Sequence, residues 1–151
     1  MSLGIHSSPI LLVEDNPMDV DLTRRAFTRR KLANPLLVAR DGEESLAWIF
    51  RWESGEPVPV VILLDLNLLR VDGLDVLPQL KAHPIYRAIP VVVLTSSDED
   101  RDIREAYDLG ADSYIVKPMD FDKFVEVAAH IEMYWCLLNA IPPLLGTSHG
   151  C

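Results

Sequence analysis

The sequence predicts an α/β protein: a doubly wound, parallel five-stranded sheet with helices on both faces, in three α/β/α layers. Two observations carry that reading. Short aliphatic runs at residues 10–13, 60–64 and 90–94 do not alternate with polar residues, as strands read when both faces are covered. Segments of helical periodicity separate them, and regular strand–helix alternation implies a parallel sheet with right-handed crossovers.

Strand one is Ile10-Leu11-Leu12-Val13. Asn16-Pro17 then supplies a helix cap followed by proline at the first helical position. That helix runs to about Arg30, with Leu22, Ala26 and Phe27 inward. Leu36-Leu37-Val38-Ala39 is a weaker second strand. Asp41-Gly42 turns into a second helix over 43–52, where Leu46, Ile49 and Phe50 share a face. After the third strand, Asp72-Gly73 opens a helix to about Ala82, and Pro78 inside it should bend it. After the fourth strand, Ser97-Asp98 opens a helix that Gly110 stops. Tyr114-Ile115-Val116 is strand five. Asp120 caps a fifth helix, in which Phe121, Phe124, Val125, Ala128, Ile131 and Trp135 recur at helical spacing.

With 151 residues the chain fits one domain, over 9–135, with helix five extending to about 140 and flexible ends at 1–8 and 146–151. Fourteen Lys and Arg against 23 Asp and Glu give a net charge of −9, which argues against nucleic acid or an anionic membrane as partner. Cys136 and Cys151 make no disulfide framework. The first residues lack a signal peptide's basic start and apolar stretch, and no apolar run approaches the ~20 residues of a membrane span. A cytoplasmic protein is expected. His6, His83, His130 and His149 show no metal-ligand spacing and read as surface residues, while Trp48, Trp52 and Trp135 read as packing groups.

In open sheets of this kind, function sits at the carboxyl ends of the strands. Strand one ends in Glu14-Asp15, strand three in Asp65, strand four in Thr95 and strand five in Lys117. Taken singly, each reads as an ordinary loop or cap residue. Together they crowd carboxylates at one edge, where each like-charged pair at about 4 Å costs roughly 4 kcal/mol at an effective dielectric near 20. An oxygen-rich cluster of that kind suits a hard divalent ion such as Mg²⁺ or Mn²⁺. A carboxylate nucleophile flanked by a cation, an ammonium and a hydroxyl is equipped for phosphoryl transfer.

The motifs Leu12-Val13-Glu14-Asp15-Asn16, Leu63-Leu64-Asp65-Leu66-Asn67, Leu94-Thr95-Ser96 and Lys117-Pro118 resemble the receiver domain of bacterial response regulators over residues 9–130. The resemblance implies a flavodoxin-like (βα)5 fold with Asp65 as phosphoacceptor. It implies metal binding by Glu14, Asp15, Asp65 and the main-chain carbonyl of Asn67, and phosphate contacts from Lys117 and Thr95. It implies a cis peptide at Pro118 and a two-state switch in which Tyr114 follows Thr95. Leu69 stands where the family usually has proline. Other segments, among them Ile131-Glu132-Met133-Tyr134-Trp135, look like the stand-alone regulators partnered with phytochromes, which implies a sensor histidine kinase of the bacteriophytochrome kind as phosphodonor.

The residues outside the domain are too few for an output domain, so signalling by protein contact is expected. Tyr134, Trp135, Leu137, Leu138, Ile141, Leu144 and Leu145 prolong an apolar stripe and suggest a homodimer through helix five and its extension. Three rivals fit less well. A haloacid-dehalogenase-type phosphatase needs a second Asp where Asn67 stands, so turnover beyond self-phosphorylation and self-dephosphorylation is not expected. A flavodoxin's first loop would have to cradle phosphate, whereas this one is acidic. A scaffold that is never phosphorylated would not need the complete site.

Overall fold

The computed structural model describes residues 8–68 and 71–138, with 134–138 as backbone only. Strands β1 (Ile10–Val13), β2 (Leu36–Ala39), β3 (Val61–Leu64), β4 (Val91–Thr95) and β5 (Ser113–Val116) alternate with helices α1 (Pro17–Arg29), α2 (Gly42–Glu53), α3 (Gly73–Ala82), α4 (Asp100–Asp108) and α5 (Phe121–Leu138). All strand pairs are parallel, in the order β2-β1-β3-β4-β5. The order reverses between β1 and β3, which opens a crevice at their carboxyl ends.

The non-alternating strands are explained by two cores. Leu11, Val13, Ile62, Leu64, Val91 and Val93 pack on one face against Trp48 and Trp52 of α2, Val76, Leu77 and Leu80 of α3 and Ala106 of α4. Ile10, Leu12, Val61, Leu63, Val92 and Leu94 pack on the other against Val20, Ala26 and Phe27 of α1 and Phe124, Ala128 and Ile131 of α5. Successive strand residues feed opposite cores, so every position is apolar.

As expected, α3 runs to Ala82 with Pro78 inside it, held by the buried Val76, Leu77 and Leu80 around it. Three details depart from the sequence reading. The α4 helix starts at Asp100 rather than at Ser97-Asp98, because the Ser97 hydroxyl is committed to the Asp102 carboxylate at 2.6 Å. His83 is not a plain surface residue: its Nδ1 accepts from the Ile85 and Tyr86 amides, and its ring stacks on Tyr86. The Lys117–Pro118 peptide is trans, not cis. Trans is the ordinary preference of such bonds, and the Lys117 amide bonded to the Thr95 carbonyl at 2.8 Å fixes the strand end without a cis turn. The expectations for residues 1–7, Leu69 and 139–151, including the apolar tail, lie outside the described residues.

Candidate functional site

Each strand delivers its polar residue where the apolar run stops. After β1, Asn16 caps α1 by accepting from the Met18 amide at 2.9 Å, and Pro17 starts the helix. This tight entry keeps Glu14 and Asp15 at the strand end, where the Glu14 Oε2 accepts from the Asn16 amide at 3.2 Å. After β3, the Asp65 Oδ1 accepts from the Asn67 amide at 3.0 Å, an Asx turn that fixes its carboxylate. Gly73, the first residue of α3, lies so close beneath this turn that a Cβ there would stand 2.3 Å from the Asp65 carbonyl oxygen. Thr95 is fully buried at the end of β4, its Oγ1 at 3.5 Å from the Asn67 Nδ2.

Lys117 closes the cluster from β5. Its ammonium donates to Glu14 Oε1 at 2.5 Å, Asp19 Oδ2 at 2.8 Å and Asp65 Oδ2 at 2.9 Å. The structure thus brings Glu14, Asp65, Asn67, Thr95 and Lys117 together. Asp15 is half-buried beside Glu14, and its carboxylate has no hydrogen bond or ion pair among the described residues. Asp19 was not singled out as a site residue. As an acid in a helix's first turn it reads as a dipole partner, so no local signal marks it.

The pocket is over-supplied with negative charge. Burial, opposed by the hydrogen bond from Lys117 and aided by the charge of Asp65, pushes the Glu14 carboxyl up to about 7. Burial works against the Lys117 ammonium, but its bonds to Asp19, Glu14 and Asp65 outweigh it and raise its pKa well above the usual lysine range. Among the described residues no three acids, histidines or cysteines are already gathered as a metal cage. The donor chemistry nonetheless fits a hard divalent cation, since a carboxyl whose charged form is disfavoured by burial, and further by the nearby Asp65 carboxylate, is what such an ion relieves. Glu14, Asp15, Asp65 and the Asn67 carbonyl would hold it.

Tyr114 is the second residue of β5, opposite Val93. Its hydroxyl donates to the Ser97 carbonyl at 2.9 Å, so β5 is tied to the loop that follows Thr95. Burial, opposed by this bond and aided by Asp102, Asp98 and Asp65, raises the phenol's pKa.

Known proteins are similar to this chain in sequence and in fold. The chain is 42% identical over 134 residues to the probable methanogenesis regulatory protein FilR2 of Methanothrix harundinacea, covering 88% of this chain and 86% of that one. It is similar in structure to the phosphorylated cyanobacterial phytochrome response regulator RcpA, with a TM-score of 0.80 at 34% identity over 90% of this chain and 99% of that one. It is also similar to the Mn²⁺-bound form of the response regulator Rcp1, a protein of Synechocystis sp., with a TM-score of 0.76 at 33% identity over 89% and 96%. The model of the response regulator receiver domain matches residues 10–129, and with it the chain belongs to the response regulator receiver family.

Proposed function

We propose that this chain is a receiver that takes a phosphoryl group from a sensor histidine kinase onto Asp65 and signals through changed protein contacts. The observation that carries the reading is buried Asp65, whose carboxylate accepts from the Lys117 ammonium and from the Asn67 amide, with the Asn67 side chain reaching the Thr95 hydroxyl. An Asp65 oxygen forms the new bond to phosphorus as the bond to the kinase histidine nitrogen breaks, and the electron pair leaves on the imidazole. Lys117 and Thr95 take up the phosphoryl oxygens. A divalent cation such as Mg²⁺ or Mn²⁺, held by Glu14, Asp15, Asp65 and the Asn67 carbonyl, would supply charge neutralisation. Thr95 is drawn toward the new charge, and Tyr114 follows through the loop that its hydroxyl already holds.

The likeness to RcpA supports a phytochrome-class kinase, including bacteriophytochromes, as the donor. The apolar residues Tyr134, Trp135, Leu137 and Leu138, which follow those that α5 commits to the core, support a homodimer through that helix and its extension. No turnover chemistry, nucleic acid or membrane enters this reading; among the described residues no helix is long and apolar enough to cross a membrane. A cytoplasmic location follows from a kinase partner of this kind.

The test is incubation with acetyl phosphate and Mg²⁺. The expected result is one phosphoryl mass gain, absent in Asp65→Asn. A gain that survives that substitution would sink the reading.

A further inference from the structure

All three donors of the Lys117 ammonium are engaged: by Glu14, Asp19 and Asp65. A phosphoryl oxygen arriving at Asp65 can be bonded by Lys117 once one of these contacts is released. Glu14 and Asp65 are the wrong ones to release. Their side chains are 3% and 6% exposed, and leaving either carboxylate unpaired in the interior is unfavourable. Asp19 is different. Its side chain is 31% exposed and lines an open hollow of about 440 Å³ with Pro17, Met18, Asp21, Leu22 and Arg25, so water can solvate it once the lysine leaves. It also stands in the first turn of α1, where the helix amides favour a negative charge without any other partner.

We propose that Asp19 is a positioning residue that restrains Lys117 in the resting site and slows phosphorylation of Asp65. The inference rests on the reading of Asp65 as phosphoacceptor. Two effects act in the same direction. Asp19 occupies a donor that the phosphoryl oxygen needs, and its charge repels the anionic phosphodonor. With acetyl phosphate as donor, an Asp65 oxygen bonds to phosphorus, the phosphorus–oxygen bond to acetate breaks, and acetate leaves with the electron pair. Lys117 must swing from Asp19 to a phosphoryl oxygen during this step.

Asp21 provides the control. It is on the same helix, pairs with the exposed Arg25 at 3.6 Å and does not touch Lys117. The experiment measures phosphorylation by acetyl phosphate at saturating Mg²⁺ for wild type, Asp19→Asn, Asp19→Ser, Asp21→Asn and Asp65→Asn. Mn²⁺ titration of each separates altered metal affinity from altered reactivity. Asp19→Asn and Asp19→Ser should react about tenfold faster, as expected when one charge-assisted contact no longer has to be broken, whereas Asp21→Asn stays within about twofold. In the metal-free protein, an amine-modifying reagent should label Lys117 faster in Asp19→Asn than in Asp21→Asn, a readout that general loosening of α1 would not single out. Serine suits a first helical turn, so the two Asp19 variants guard against a folding artefact of either one. Unchanged or slower phosphorylation in both Asp19 variants, with Asp65→Asn inert, overturns the restraint and leaves the phosphoacceptor standing. Equal acceleration by Asp21→Asn reduces the effect to bulk charge and overturns it too. Phosphate gain in Asp65→Asn overturns the underlying assignment.

Discussion

The molecule holds two largely buried lysines that use the same number of donors for opposite ends. Lys117, at the carboxyl end of the sheet, faces three carboxylates. Lys81, at the amino end, donates to the carbonyls of Arg87 and Ile89 at 3.1 and 3.0 Å and to Asp112 Oδ2 at 2.8 Å. The same Asp112 oxygen accepts from the Val91 amide at 2.8 Å, so this knot joins α3 to the entries of β4 and β5. One cation meets one anion there, and neutral carbonyls satisfy the rest. Such a site is electrostatically closed. The Lys117 site is left negative, so it is open to a further cation and costs stability until one arrives.

The largest expected effect separates the two lysines by function. Lys117→Met should slow phosphorylation by acetyl phosphate about 100- to 1,000-fold, the usual loss when a charged donor to a transferring group is removed. Lys81→Met should leave that rate within about twofold at 25 °C but lower unfolding stability by about 2–3 kcal/mol, because Asp112 loses its counter-charge. Urea melts with parallel phosphorylation assays would test both. If Lys81→Met proved as damaging to phosphorylation as Lys117→Met, the division between a structural and a chemical lysine would fail.

A smaller effect probes how rigidly the chemical end is built. The Cβ in Gly73→Ala would press on the Asp65 carbonyl at 2.3 Å and on the Leu66 Cα at 2.7 Å, both backbone atoms that cannot rotate away. Overpacking there should cost about 2 kcal/mol. Displacing the Asp65 turn should also slow phosphorylation by about tenfold or more, since small misplacements of a reacting group are costly. A variant that lost stability yet phosphorylated at the wild-type rate would show that the turn tolerates the shift.

Much of the chemical end was legible because strand ends are local features. An aliphatic run that stops at Glu14, Asp65, Thr95 or Lys117 places that residue at one edge as soon as the strands are parallel. The Lys81–Asp112 knot was not legible. Both residues are charged, 31 positions apart, and each resembles any solvent-facing residue of a helix end or turn. Asp19 was hidden for a related reason: its helix-start position already explained it. The start of α4 was misplaced because Ser97 could cap a helix or bond forward to Asp102, and the distinction depends on a side-chain partner rather than on composition. The trans bond at Pro118 was missed because the cis expectation came from resemblance, whereas the inward aim of Lys117 is supplied by its ion pairs.

The smallest effect concerns removal of one carboxylate from each knot. Asp112→Asn keeps an acceptor for Val91 and Lys81 but leaves the ammonium without its anion, and should destabilise by about 1 kcal/mol. Glu14→Gln should behave differently, because two carboxylates remain on Lys117. The Glu14 carboxyl rises from its ordinary 4.5 to about 7 on folding without metal, so the native state binds its proton more tightly than the unfolded chain. Stability from that proton is fully present below pH 4.5 and is lost as the pH rises through about 7. Metal-free wild type should therefore weaken from pH 5 to pH 8 more than Glu14→Gln does, and saturating Mg²⁺ should shrink the gap by favouring the carboxylate. Parallel pH profiles for the two proteins in chelator would mean that the carboxylate surplus at the sheet's carboxyl end is already neutralised by Lys117 alone, and the contrast between the two lysines would reduce to geometry.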